Sequence, residues 1–374
     1  MGNEFFSERS IAEVELSRIV QNYEIYKGAT ASGARIIAVV KADAYGHGDM
    51  QISRALEACG VDFFAVSNIN EGIRLRENGI SGEILILGYT PVRFSEELTY
   101  YRLSQAIVSE EHLRQIQDFG KNEACYHIAL DLGMHRIGLN CNDISATVSK
   151  IKNAAKTLKI KGVFTHFPVA DSTNPTDIEF TRSAVATFDE ICARLSGLGI
   201  EHFHCQNSAA GLLHSSRCSN AIRLGISLYG YAPSSDIALP QGILPALSWK
   251  SRVACVLNVK KGESIGYGRS FVAERDMRVA TITAGYADGY PRVLSNKGYV
   301  LINGSHARIV GRICMDMMMA DASALDRVNA GDEVILIGES NGEKITADDL
   351  ARGCGSISYE ILCGISKRVK RVYI

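Results

Sequence analysis

The chain holds one tryptophan and seven prolines in 374 residues. Nowhere does it carry the roughly 18 consecutive apolar residues that a membrane-spanning helix needs. An excess of either charge is also missing: 40 Lys and Arg stand against 41 Asp and Glu, for a net charge of -1. That balance leaves no electrostatic footprint for nucleic acid or an anionic membrane, so the expected partner is a small molecule. The ten cysteines are scattered with no C-x-x-C pair. This excludes a zinc knuckle or a disulfide framework and reads as reduced, mostly buried thiols, with no metal site. Residues Met1 to Ser10 carry two Glu and no apolar segment of the kind a signal peptide has, and Phe6 stands where a myristoylation signal needs Ser or Thr. A cytoplasmic location is the expectation.

What is present is an ordinary globular composition, 46% hydrophobic and 22% charged, at a length that suggests two domains on a prior of one per roughly 150 residues. From residue 35 onward, short apolar runs alternate with segments of helical periodicity, as parallel strands joined by crossover helices do. Eight runs read as strands: Ile36 to Val40, Phe63 to Val66, Ile84 to Leu87, Gln105 to Val108, Tyr126 to Asp131, Gly162 to His166, Phe203 to Gln206 and Ala221 to Gly225. Helices fit over Asp49 to Cys59, Asn70 to Asn78, Glu110 to Asp118, Asp143 to Ala155 and Asp177 to Leu195. Eight strands with this rhythm predict an α/β fold, a (β/α)8 TIM-like barrel whose chemistry gathers at the C-terminal ends of the strands.

After Pro233 the rhythm changes to alternating runs, Arg252 to Val259, Arg278 to Thr283 and Tyr299 to Gly311, the last with an Asn303-Gly304 hairpin signal. A mainly β C-terminal domain is predicted, with one helix from Thr346 to Gly353 opened by an Asp variant of the capping box. The domain division expected is residues 15–238 for the barrel and 239–374 for the β-rich domain. A first strand, Ile11 to Leu16, would join the second domain as part of residues 1–14.

Chemistry is first suggested by Lys41, at the end of an apolar strand and followed by Ala42-Asp43-Ala44-Tyr45-Gly46-His47-Gly48. A lysine partly desolvated at a barrel mouth has its amine pKa drawn below ~10.4, which suits it to Schiff-base formation and then to proton transfer. A surface lysine with a snorkelling stem is the plain alternative. At this segment the sequence resembles the alanine racemase family, pyridoxal 5'-phosphate (PLP) enzymes built from a barrel and a β domain. The resemblance spans nearly the whole chain. It runs in order through Asp131-Leu132-Gly133-Met134-His135-Arg136, Thr165-His166-Phe167, Asn207-Ser208-Ala209, Arg223-Leu224-Gly225-Ile226, Gly266-Tyr267-Gly268, Gly285-Tyr286-Ala287-Asp288-Gly289, Gly311-Arg312-Ile313-Cys314-Met315-Asp316 and Tyr359-Glu360.

The resemblance implies that Lys41 carries the cofactor and that Tyr45, Ser208, Gly225, Ile226 and Tyr359 hold its phosphate. Ser208 on its own would read as an N-cap. Arg223 is implied to face the pyridine nitrogen; a guanidinium cannot readily give up a proton, so the ring becomes a weaker electron sink than a carboxylate would make it, which favours racemisation over transamination. On its own Arg223 would read as a salt-bridge partner. Racemisation needs a base on each face of Cα, and the resemblance gives these as Lys41 toward D-alanine and Tyr267 toward L-alanine. A phenol with a reference pKa of ~10 needs cationic neighbours for this, and His166 is suited to link Tyr267 with Arg223. A lone strand-end His more often has a structural role.

Arg136 and Met315 match the residues that fix the substrate carboxylate. Tyr286 and Asp316 match residues where substrate enters, and Arg292 matches a support for Tyr267. Tyr286 could equally be strand packing. By the same resemblance Tyr267, Tyr286, Met315 and Asp316 reach the site from the other subunit, implying a homodimer with shared sites. Three positions depart from the family pattern. Ala129 stands where many relatives carry a lysine modified to a carbamate that orients the arginine, Leu132 where Thr is usual and Met317 where Gln is frequent. A bound anion or a nearby acidic or amide side chain is expected to stand in. Tyr359 fits the alanine-specific pattern, and the implied role is supply of D-alanine for the bacterial cell wall. The alternatives are a serine or broader amino-acid racemase, a PLP decarboxylase on the same plan, and a non-catalytic PLP-binding barrel, which would lack the roughly 130 residues after the barrel.

Overall fold

A computed structural model describes residues 9–30, 33–119 and 123–374. The chain divides into two compact units, one made of Ser17–Ala44 and Asp49–Leu244, the other of Tyr45–Gly48, Pro245–Ile374 and the described part of Met1–Leu16.

The first unit is an eight-stranded parallel barrel. Its strands, Arg35–Val39, Phe63–Val66, Glu83–Ile86, Ser104–Ile107, Cys125–Asp131, Lys159–Thr165, His202–His204 and Ala221–Leu224, pair in sequence order, and the last returns to pair with the first. The seventh and eighth are joined through Gln206 and Ile222, with the Arg223 N–H donating to Gln206 O at 3.0 Å. All eight expected strands are present, Phe63–Val66 with the expected bounds and the other seven with an end moved by one to three residues. They read as unbroken apolar runs because both faces are covered: Phe63–Val66 and Ala221–Leu224 are buried throughout. The expected helices are also found, among them Asp49–Ala58 and a 20-residue helix Pro175–Arg194 with Asn174 accepting from Thr176 N–H as its cap. A helix over Leu16–Ala29 was not anticipated. Its inner face includes Asn22, whose amide donates to Leu228 O at 3.1 Å and Leu244 O at 2.8 Å, so a buried polar residue breaks the apolar stripe.

The second unit is β-rich. Leu247–Val259 is its long central strand, flanked by Ser10–Val14 and Glu333–Ser340 over its first half and by Met277–Ile282 over its second, with a bulge between Val253 and Cys255. The first strand ends at Val14, two residues before the expected Leu16, which opens the helix instead. It also pairs in parallel with Lys370–Tyr373. The Asn303-Gly304 hairpin joins Tyr299–Ile302 to Ser305–Arg308; both turn residues have positive φ, 50° and 79°. Helix Ala347–Cys354 carries the full capping box, Thr346 with Asp349. All ten cysteines are free, but only Cys141, Cys192 and Cys205 are buried, fewer than expected, because the others sit on half-covered or exposed positions. No helix among the described residues is long and apolar enough to cross a membrane.

Candidate active site

Lys41 leaves the first barrel strand into an unusual turn. Ala42, Asp43, Ala44 and Tyr45 all have φ between 52° and 56°, a left-handed stretch of four non-glycine residues. Such backbone costs roughly 1–2 kcal/mol per residue, so neighbouring groups must fix it. Ala42 N–H donates to Glu71 Oε1 at 2.9 Å, Ala44 N–H to Val40 O at 2.9 Å, and Asp43 Oδ1 accepts from Asp49 N–H at 3.1 Å. Asp49 is itself paired with Arg74. None of Glu71, Asp49 or Arg74 was singled out from sequence. The only advance sign was a run of small residues after a strand-end lysine.

Farther round the barrel, Arg223 is 4% exposed and has no carboxylate partner among the described residues. Nη1 donates to His204 O at 2.6 Å and His204 Nδ1 at 2.9 Å; Nη2 donates to Thr165 O at 2.7 Å, and His166 Nδ1 lies 3.3 Å away. None of these bonds uses Nε–H. Burial, with Arg136 nearby, brings the guanidinium down to about 10, still charged at neutral pH. His166 is held neutral, its pKa lowered to about 3 by burial and by the cations Arg223, Arg136 and Lys41. The expected His166–Arg223 pairing is therefore present in the barrel unit, whereas His204, its closer partner, was missed. Two histidines spaced i, i+2 on one strand, 202 and 204, were the available signal.

Ser208 does not cap a helix. That part falls to Asn207, whose Oδ1 accepts from Ala209 and Ala210 N–H, while Ser208 Oγ accepts from Gly225 N–H at 2.9 Å. This bond ties together the loops after the last two strands and brings Ser208, Gly225 and Ile226 together. Arg136 is exposed and makes no hydrogen bond or ion pair among the described residues. Ala129 lies in an apolar cluster with Ala106, Val108 and Phe164. No acidic or amide side chain bonds to Arg136 among the described residues.

The β-rich unit carries the other candidates. Tyr45 is buried and packs against Tyr359 with ring centroids 5.9 Å apart and planes tilted by 53°; burial first, and then Tyr359 and Cys363, push its phenol pKa well up. Tyr267 is 69% exposed, between Gly266 and Gly268, both at positive φ, and a Cβ at Gly268 would lie 2.8 Å from Arg312 Nη1. Tyr286, Met315 and Asp316 lie on two loops sewn together by Tyr286 N–H to Cys314 O, 3.0 Å, and Ala287 N–H to Met315 O, 2.9 Å. Asp316 is further held by Arg368 at 2.7 Å, which with Arg9 also binds the buried Asp288. Arg292 makes no side-chain hydrogen bond among the described residues. Arg312 packs against the Tyr267 turn at Gly268.

Residues 14–233 match the family model for the alanine racemase N-terminal domain, and residues 246–373 match that for its C-terminal domain. The chain belongs to the alanine racemase family. Among relatives, alanine racemase 1 of Clostridium acetobutylicum is 39% identical over 373 residues, covering 97% of this chain and 95% of that protein. The alanine racemase of Clostridium difficile 630 superposes with a TM-score of 0.91 at 37% identity over 98% of this chain and 96% of that one. The alanine racemase of Bartonella henselae, solved with covalently bound pyridoxal phosphate, gives 0.88 at 29% identity over 98% and 99%. These alanine racemases cover the barrel and the β-rich unit together, so a barrel-only PLP-binding protein is excluded as the family.

Proposed function

We propose that this protein is a PLP-dependent alanine racemase, an isomerase of L- and D-alanine. In this reading it works in the cytoplasm as a homodimer with shared sites and supplies D-alanine for the cell wall. The observation that carries the reading is Arg223, a buried guanidinium whose Nε–H makes no hydrogen bond and which has no carboxylate partner among the described residues.

The donor set fits PLP. His166 feels three cations, Lys41, Arg136 and Arg223, and no carboxylate among its main influences, as an anionic group needs. Ser208 Oγ, tied to Gly225 N–H, lies just before the turn at Ile226, where the fully buried Ser227 Oγ has no partner among the described residues. Lys41 would anchor the cofactor; Ser208, Gly225 and Ile226, with Tyr45 and Tyr359, would hold its phosphate. When bound, PLP supplies an electron sink that makes the substrate's Cα–H acidic.

The chain's own residues then divide the work. Arg223 offers a hydrogen bond but not a proton to the ring nitrogen, since a guanidinium at about 10 stays charged. Arg136 and the Met315 N–H bind the substrate carboxylate, which points Cα between two proton-transfer groups. The Lys41 amine takes and returns the proton at Cα on the D-alanine side; the Tyr267 phenol does so on the L-alanine side. His166, neutral, accepts from Arg223 and keeps its remaining ring nitrogen for the Tyr267 phenol. Tyr286 and Asp316 line the way in, and Tyr359 leaves room for a methyl group. Incubating the purified protein with L-alanine in deuterated buffer tests this: D-alanine with deuterium at Cα is expected, whereas pyruvate or an amine would redirect the assignment.

A further inference from the structure

Behind Arg223 the barrel interior contains a line of histidines. His204 Nδ1 faces Arg223 Nη1 at 2.9 Å, and its Nε2 faces His127 Nδ1 at 3.0 Å. Both rings are fully buried. His204 stacks on Phe164 with ring centroids 5.0 Å apart, and the Arg223 guanidinium lies over the same Phe164 ring. His127 stacks on His202 at 5.7 Å.

The protons on this line have one consistent arrangement. A guanidinium only donates, so His204 Nδ1 must carry a lone pair. A neutral His204 then has its proton on Nε2 and gives it to His127 Nδ1, which must also be a lone pair. His127 is left with its proton on Nε2, an atom with no partner among the described residues. An imidazolium at either ring would set N–H against N–H. Burial, followed by Arg223, keeps His204 well below the usual range; burial and His202 bring His127 to about 3. The groups acting on the pair are Arg223, His202, Lys161 and Glu83, of which only Glu83 favours the charged ring. The sequence also makes room for the acceptor atom: a Cβ on Gly162 would lie 2.2 Å from His127 Nδ1.

We infer that His127, seated against Gly162, is a positioning residue that fixes His204 as its Nε2–H tautomer and thereby holds the Arg223 guanidinium in place at the barrel mouth. Without the His127 acceptor, the His204 Nε2–H is stranded in a dry interior. The other tautomer would relieve that only by aiming an N–H at Arg223. The inference uses the reading that Arg223 faces the cofactor ring, but its first test does not.

The test is nitrogen NMR of holoenzyme labelled with ¹⁵N-histidine, comparing wild type, His127→Phe and His127→Asn. In wild type both rings are expected as neutral Nε2–H tautomers that do not titrate between about pH 6 and 9. His127→Phe keeps ring volume and removes the acceptor. Its His204 signal should shift toward the Nδ1–H form, and cofactor lost to half-transamination per racemisation turnover should rise about tenfold. His127→Asn, which keeps an acceptor oxygen, should restore both toward wild type. A wild-type His127 found as the Nδ1–H tautomer or as imidazolium would overturn the inference, and so would an unchanged His204 signal in His127→Phe. The wild-type spectrum decides the matter even if that variant does not fold. Failure of the function reading would appear instead as no racemisation by wild type, with the tautomers as expected.

Discussion

Arg223 and Ser208 in the barrel are held in the opposite way to Tyr267 and Met315 in the β-rich unit. In the barrel, Arg223 and Ser208 are 4% and 5% exposed, and the bonds that fix them come from within the same unit. In the β-rich unit, Tyr267 and Met315 are 69% and 53% exposed, carried on loops whose backbone is stitched but whose side chains reach outward. A group that binds a flat cofactor needs a dry, rigid bed, because loosely placed donors lose their advantage to water. Side chains that complete a neighbour's site need the reverse, a firm backbone and a free face. On the proposed reading of a homodimer with shared sites, this contrast sets apart variants that break chemistry inside one chain from those that break it between chains.

Lys41→Ala should have the largest effect, a loss of activity on the order of 10³–10⁴-fold or more together with the cofactor absorbance. Retained absorbance would remove Lys41 as the anchor. Tyr267→Phe should cost about 10²–10⁴-fold and block proton exchange from L-alanine while leaving exchange from D-alanine. Mixing these two variants should regain about a quarter of wild-type sites if chains exchange freely, since each mixed pair rebuilds one site. No recovery at all would show that each protomer is self-contained.

Acid should act on the barrel first. Burial lowers His112 to about 4 and His127 to about 3, so the unfolded chain, with histidines near ~6.5, binds the extra protons. Their contribution is fully present above about pH 6.5 and is lost as pH falls toward those values, at ~1.4 kcal/mol per pH unit for each. Hydrogen exchange at pH 5.5 should therefore weaken over Cys125–Asp131 before Leu247–Val259; uniform loss would contradict this. Ser208→Ala removes the acceptor for Gly225 N–H and should weaken cofactor reconstitution by about 1–3 kcal/mol, read by titrating apoprotein with PLP. The smallest effect should come from Thr346→Ala in the β-rich unit, about 0.5–2 kcal/mol of stability with unchanged turnover, seen as a lower melting temperature.

The barrel was legible because its strands are covered on both faces and read as apolar runs, and the hairpin and capping box because their chemistry is local. Lys41, Ser208 and Arg223 are singled out by their places at strand ends and by resemblance. Helices Ser95–Tyr100 and Ser358–Gly364 were missed because they are too short to show a period. His204, His127, Glu71 and Arg74 escaped notice because what they do depends on neighbours distant in sequence. Nothing local to Tyr45–Gly48 indicates that it belongs to the β-rich unit.

The turn that follows Lys41 has one more consequence. Backbone angles near +53° and +49° at Ala42 are those that a residue of inverted handedness takes up at rest. A chain assembled chemically with mirror-image alanine at positions 42 and 44 should therefore ease into this turn more readily than the natural one. In this protein the geometry natural to its proposed product is imposed, at positions 42 and 44, on the opposite enantiomer.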